Sequence, residues 1–169
     1  AGCDVVTDGQ GRWAEPISHM LHGFKGVRIG GLLRFFDTNF YFRQPIVQKK
    51  VGRPDGLICT EVEGALRLAR KPFKAVMTGP VTLAALSEIR GGEYSQVDRL
   101  VEDLTPLLAE EIAALAKAGI PWIQIDEPIA AKRPDLLPLL SKVLHSFAAK
   151  RGKAKLLLTT YFGDATPIF

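Results

Sequence analysis

The chain has 169 residues, 47% hydrophobic and 24% charged, a balance that excludes a disordered tail or a fibrous repeat and leaves room for one sizeable core. Its 22 Lys and Arg against 18 Asp and Glu leave a net charge of +4. The basic residues are scattered apart from Lys49-Lys50-Arg53 and Lys150-Arg151-Lys153-Lys155, so no nucleic-acid partner is expected.

The chain opens on Asp4-Val5-Val6-Thr7-Asp8-Gly9, which reads as a strand closed by a turn signal. It has no initiator Met and no leader pattern, so a fragment of a longer chain is expected. Residues 35–47 alternate aromatics with Asp37, Asn39 and Arg43, a pattern open to two readings: a strand pair, or an irregular loop reaching over a site. The aromatics Phe35, Phe36, Phe40, Tyr41 and Phe42 suit a flat heterocycle as well as packing under that loop. Arg12, Arg34 and Arg43 flank them.

Residues 57–70 carry a helical period, and Phe73-Lys74-Ala75-Val76-Met77-Thr78-Gly79-Pro80 reads as the next strand. Gly79-Pro80-Val81-Thr82 then opens a short helix to about residue 89, with Pro where its missing N–H is harmless. The free N–H groups of such a start can receive an anion; a plain turn and helix start is the alternative. A longer helix follows over 95–117, with Val97, Leu100, Val101, Leu104, Leu108, Ile112 and Leu115 as its stripe and Gly119 as its stop. Pro106 inside it predicts a bend near Thr105.

Trp122-Ile123-Gln124-Ile125-Asp126-Glu127-Pro128 is a third strand, with Trp122 read as core. A helix after Pro134 runs to about residue 150, and Leu156-Leu157-Leu158-Thr159-Thr160-Tyr161-Phe162 is a fourth strand. These runs are nearly continuously apolar, as in parallel strands buried on both faces, and polar groups gather at their C-terminal ends. The order is α/β, parallel strands with outer helices. Four or five strands in a chain of this length, where a full barrel needs about 250 residues, predict roughly the first half of a (β/α)8 TIM barrel as a single partial domain over 1–169. No strand is followed by GxGxxG or GxxxxGK[ST], so nucleotide binding has no support.

Polar groups at the C-terminal ends of parallel strands are where such folds do chemistry. Asp126 and Glu127 are the prominent pair. Neighbouring strand residues point to opposite faces, which leaves one of them in the pocket, and Asp126 is the better candidate. A strand-end cap on the following turn is the structural alternative. His19, His22 and His145 form no ligand cluster, and Cys3 and Cys59 sit in no metal or disulfide spacing. No apolar run approaches the roughly 18 residues of a membrane span. A cytoplasmic protein without a membrane partner is expected.

Four stretches, Phe36-Asp37-Thr38-Asn39-Phe40-Tyr41, Thr78-Gly79-Pro80-Val81-Thr82, Trp122 to Pro128 and Leu156 to Phe162, together resemble the cobalamin-independent methionine synthase family. The resemblance implies a fold of two (β/α)8 barrels and methyl transfer from methyltetrahydrofolate to the thiol of homocysteine, which zinc holds as thiolate. In the family's catalytic barrel the strand matching Leu156 to Phe162 bears a His and a Cys ligand. Here Thr160 and Phe162 stand in those places, so no zinc is expected in this chain. Thr-Thr-Tyr-Phe and Phe-Asp-Thr-Asn-Phe-Tyr are typical of the N-terminal barrel, whereas Asp4 to Arg12 looks like the start of the catalytic or single-barrel relatives.

By the same resemblance Asp126 matches the aspartate that binds the homocysteine amino group, with Glu127 and Pro128 completing the motif. Gln10 stands where the family has a second amine-binding Glu, Leu86 where it has a folate-stacking Trp, and Lys132 where it has a folate-contacting Glu. Arg34 falls at a lysine that contacts the folate polyglutamate tail, and Asp37 and Asn39 lie beside it. The expected substrate-binding residues are therefore Asp126, Glu127, Gln10, Arg34, Asp37 and Asn39. The expected partners are homocysteine, methyltetrahydrofolate polyglutamate, and the second half of the barrel or a second barrel. Two other readings stay open: a non-catalytic folate-binding or supporting barrel domain, and a related methyltransferase with a corrinoid donor.

Overall fold

The structure is a computed structural model that describes residues 2–54 and 57–168. A first helix, α1 (Pro16–Leu21), was not expected from the sequence; Pro16 starts it and Glu15 caps it, turning Ile17, Met20 and Leu21 inward. It leads into β1 (Lys25–Arg34) and β2 (Tyr41–Gly52), which pair antiparallel from Lys25↔Gly52 to Arg34↔Tyr41 with two register shifts. Neither reading of residues 35–47 is what is observed: 35–40 form the hairpin tip and 41–47 begin β2, whose partner β1 lies before that span and was not expected from the sequence. Gly26 sits at the first register shift with φ +79°, where a β-carbon would lie 2.5 Å from the Lys50 carbonyl oxygen, so the close approach of the strands there depends on glycine.

Next come α2 (Ile58–Leu68), β3 (Lys74–Thr78), α3 (Pro80–Ala85), β4 (Glu88–Ile89), α4 (Val97–Lys117), β5 (Trp122–Asp126), α5 (Leu137–Lys150) and β6 (Lys155–Thr159), with 3-10 turns between β5 and α5 and after β6. The described residues form two three-stranded sheets, β1-β2-β4 and β3-β5-β6. The second is parallel throughout. The first is a correction to the expected parallel array: its main pair is antiparallel, and only the short β4 joins β2 in parallel. Tight connections allow that geometry where a parallel pair needs a long crossover.

Two local expectations also change. The opening segment makes a single parallel bridge, Val6 to Phe73, beside β3 rather than a full strand. The helix that Pro80 starts ends at Ala85, well before residue 89, because Glu88 and Ile89 are drawn into pairing with β2. Helix α4 is unbroken through Pro106, whose ring lies on its exposed side.

The predicted stripe is the core. Leu100, Leu104, Leu108, Ile112 and Leu115 of α4 are fully buried and share one cluster with Ala75, Met77, Ile123 and Ile125 of the parallel strands and Leu140, Val143 and Phe147 of α5. Each of these side chains larger than Ala75 contributes about 1.5–3 kcal/mol of burial. The expectation of strands apolar and buried on both faces holds for β3, where Ala75, Val76, Met77 and Thr78 are all buried, and is corrected for β5. There Ile123 and Ile125 alternate with Gln124 and Asp126, so one face is oily and the other carries polar groups. That polar face carries the site. Trp122 is half-buried at the start of β5, with the Lys155 ammonium 4.7 Å from its ring centre, rather than in the core.

Candidate functional site

Asp126 is the last residue of β5, and the alternation of the strand places Gln124 on the same face. Lys74 Nζ donates to Gln124 Oε1 at 2.5 Å, and Gln124 Nε2 donates to Asp126 Oδ1 at 2.7 Å. The Thr159 hydroxyl, across the β5–β6 ladder, donates to the same oxygen. One carboxylate oxygen is thus held by two donors, while Oδ2 has no hydrogen-bond partner among the described residues. Asp126 is only 9% exposed, and a buried carboxylate with a free oxygen favours a cationic donor group.

That carboxylate lines a cavity of about 340 Å³ together with Gln10, Trp13, Glu15, Phe40 and Gln124. Glu15 also lines it, although its own oxygens are well occupied. Oε2 accepts from Ile17 N at 2.7 Å, and Oε1 accepts from Ser18 N at 2.9 Å, from the Ser18 hydroxyl and from Arg43 N at 3.2 Å. Glu15 therefore fastens β2 to the start of α1. Acid, amide and aromatic groups facing one small space suit a polar molecule with an ammonium group and an apolar tail.

Glu127, one residue on, points the other way. It is fully buried, and its carboxylate accepts from Val81 N at 3.0 Å, Thr82 N at 2.7 Å and the Thr82 hydroxyl at 2.5 Å. The N–H groups opened by Gly79-Pro80 do receive an anion, and it is this side chain. Burial pushes the Glu127 carboxyl up to about 7, while the Thr82 and Val81 donors pull the other way and the Asp126 charge adds to the rise. The same two carboxylates, after burial, raise the Tyr161 hydroxyl above its ordinary range.

The structure brings Gln10 to Asp126 and leaves the other expected residues elsewhere. Arg34 is exposed at the hairpin tip, where Nε donates to the Thr38 carbonyl at 2.5 Å and an Nη to the Asp37 carbonyl at 3.2 Å. Asp37 and Asn39 are exposed beside it and line no part of the cavity. Of the aromatics there, Phe35 and Phe42 are buried, Phe36 and Tyr41 are exposed, and Phe40 alone reaches the cavity wall. Phe162 packs against Phe35 and Phe40 at ring distances of 5.5 and 6.1 Å, tying the loop after β6 to the hairpin tip.

Non-glycine residues with left-handed backbone are Gln10, Phe36 and Phe162. Gln10 lines the cavity and the other two belong to this aromatic cluster, a concentration of strain typical of functional sites. Trp13, Glu15, Lys74, Gln124 and Thr159 escaped the sequence reading. Gln124 was within reach, two residues from Asp126 on one strand; Glu15 was not, since Glu is no usual helix cap. Among the described residues no three or more His, Cys, Asp or Glu side chains are grouped to hold a metal ion. No helix of the described residues is long and apolar enough to cross a membrane.

Residues 14–168 match the family described as cobalamin-independent synthase, N-terminal domain. Two solved structures share the fold. A B12-independent methionine synthase from Shewanella sp. W3-18-1, in complex with selenomethionine, superposes with a TM-score of 0.82 at 21% identity over 96% of this chain and 47% of its own. A Listeria monocytogenes protein, provisionally described as a vitamin-B12-independent methionine synthase, gives 0.69 at 14% identity over 93% of this chain and 48% of its own. The chain spans about half the length of these relatives.

Proposed function

The chain belongs to the cobalamin-independent synthase family through its N-terminal domain, and on that premise we propose that it is part of a methionine-synthase-type methyltransferase whose Asp126 cavity takes the amino-acid substrate. The parallel sheet with its covering helices would form part of a (β/α)8 barrel wall, and the whole would work in the cytoplasm. The observation that carries the reading is the Asp126 carboxylate, fixed through Oδ1 by Gln124 and Thr159, without a partner at Oδ2 among the described residues, on the wall of a cavity of about 340 Å³. The selenomethionine in the Shewanella structure supports a ligand of this class.

In this reading Asp126 binds the ammonium group of homocysteine or methionine, and Lys74 and Gln124 keep its carboxylate turned to receive it. Trp13 and Phe40 offer apolar surface to the rest of the molecule. The methyl group passes from methyltetrahydrofolate to the homocysteine thiol, and this chain's residues bind and orient rather than activate. Zinc, which the family resemblance implies for the thiolate, does not fit the residues present. Thr160 offers only a hydroxyl, and Phe162 is committed to the aromatic cluster. A non-catalytic supporting domain is the second reading, favoured by that pair and by Gln10 in the place of an acid.

Calorimetry with L-methionine and L-homocysteine tests the assignment. Losing a charge-assisted hydrogen bond costs about 1.5–3 kcal/mol, so Asp126→Asn should weaken both about 10- to 150-fold. Equal affinity in the variant and the parent would remove Asp126 from the site.

A further inference from the structure

Resting on the reading of the Asp126 cavity as an amino-acid site, we propose that Trp13 is its aromatic recognition wall and that His19 and Glu61 are positioning residues that hold the indole in place. Three separate segments meet here: the loop before α1 supplies Trp13, α1 supplies His19, and α2 supplies Glu61. Trp13 Nε1–H donates to Glu61 Oε2 at 3.3 Å. His19 Nε2 meets the same carboxylate at 2.8 and 3.0 Å. The indole and imidazole rings are stacked, 4.9 Å between centres and 21° between planes.

An indole N–H only donates, so rotating Trp13 into or out of the cavity breaks its bond to Glu61 and its stack on His19 together. One face of the indole region borders the Asp126 cavity. His19 and Glu61 themselves line a second cavity of about 380 Å³, with His22, Leu57 and Ile58. The pair is 21% and 28% exposed and lies on a cavity wall rather than within the core. Neither side chain caps a helix in the way Glu15 does. What the pair fixes is the Trp13 indole, and hence how much apolar surface the ligand meets beside Asp126.

The chain has two tryptophans, so a Trp122→Phe background leaves Trp13 as the only emitter. L-Methionine is the probe. Addition of L-methionine should change Trp13 emission saturably. Glu61→Ala should raise acrylamide quenching of Trp13 at least twofold and weaken L-methionine roughly tenfold, and Glu61→Gln, which keeps an acceptor for the indole, should recover most of both. His19→Ala should brighten Trp13 by removing the stacked ring. Wild-type quenching and affinity in both Glu61→Ala and His19→Ala would overturn the positioning role, and the Asp126 reading would survive if Asp126→Asn still loses the ligand. If Glu61→Ala does not fold, His19→Ala and Glu61→Gln decide by the same readouts. A parent protein that binds no L-methionine overturns both the cavity reading and the recognition role of Trp13.

Discussion

Gly79 and Glu127 touch so closely that a β-carbon on residue 79 would lie 2.8 Å from Glu127 Cγ and overlap its carboxylate. Gly79 has an ordinary φ of −80°, so glycine is required there for space and not for backbone freedom. Through that gap Glu127, at the end of β5, reaches the N–H groups that open α3, and strand and helix are locked together. Gly79→Ala should therefore lower stability by about 1–3 kcal/mol, the usual range for an overpacked interior. Urea unfolding measures it, and an unchanged midpoint would mean that the carboxylate has another place to go.

Glu127 also predicts a pH dependence. Its carboxyl is raised to about 7 in the folded chain, whereas an unfolded Glu titrates near 4.3. Between those values the folded state holds the proton and the unfolded state does not. Stability is accordingly highest below about pH 4.3 for this group and falls as pH rises to about 7. At about 1.4 kcal/mol per pKa unit the loss is of order 4 kcal/mol. Urea titrations at intervals across this window should show the decline in the parent and a flatter profile in Glu127→Gln, the difference between the two isolating this carboxyl. Parallel profiles would show that it ionises normally.

Lys74 acts on the site without lining the Asp126 cavity. By occupying Gln124 Oε1 it leaves the amide nitrogen to face Asp126, and Lys74→Met frees the amide to turn over. The ligand feels this loss only through the orientation of one amide, an indirect effect of about 0.5–1.5 kcal/mol, so L-methionine should bind roughly two- to tenfold more weakly with little change in the unfolding midpoint. Unaltered calorimetric affinity would limit Lys74 to the fold.

The flank between α5 and β6 is open. Leu144, Leu156 and Leu158 line a groove of about 540 Å³ there, and among the described residues β6 pairs with β5 alone. Unpaired strand edges beside apolar surface recruit other chains. The 169-residue chain is expected to dimerise or aggregate, and Leu158→Lys to shift it toward monomer. Sedimentation velocity distinguishes the two, and a parent that stays monomeric at high concentration would refute the expectation.

What the sequence by itself determined is what local rules determine. The 3.6-residue period of α4, the three parallel strands with their turn signals, and the orientation of Asp126 were legible because each depends on neighbours in the chain. Tertiary structure alone decided the rest. Glu127 reads as half of an acid pair until α3, some 46 residues earlier in the chain, is folded against it. Glu15 joins the cavity lining only when α1 and β2 meet. The hairpin of β1 and β2 was not legible because its alternation is interrupted by two register shifts, and pairing across a turn is chosen by which face the core accepts. Chemistry at such a site depends on which polar groups already have partners, and those partners come from distant segments.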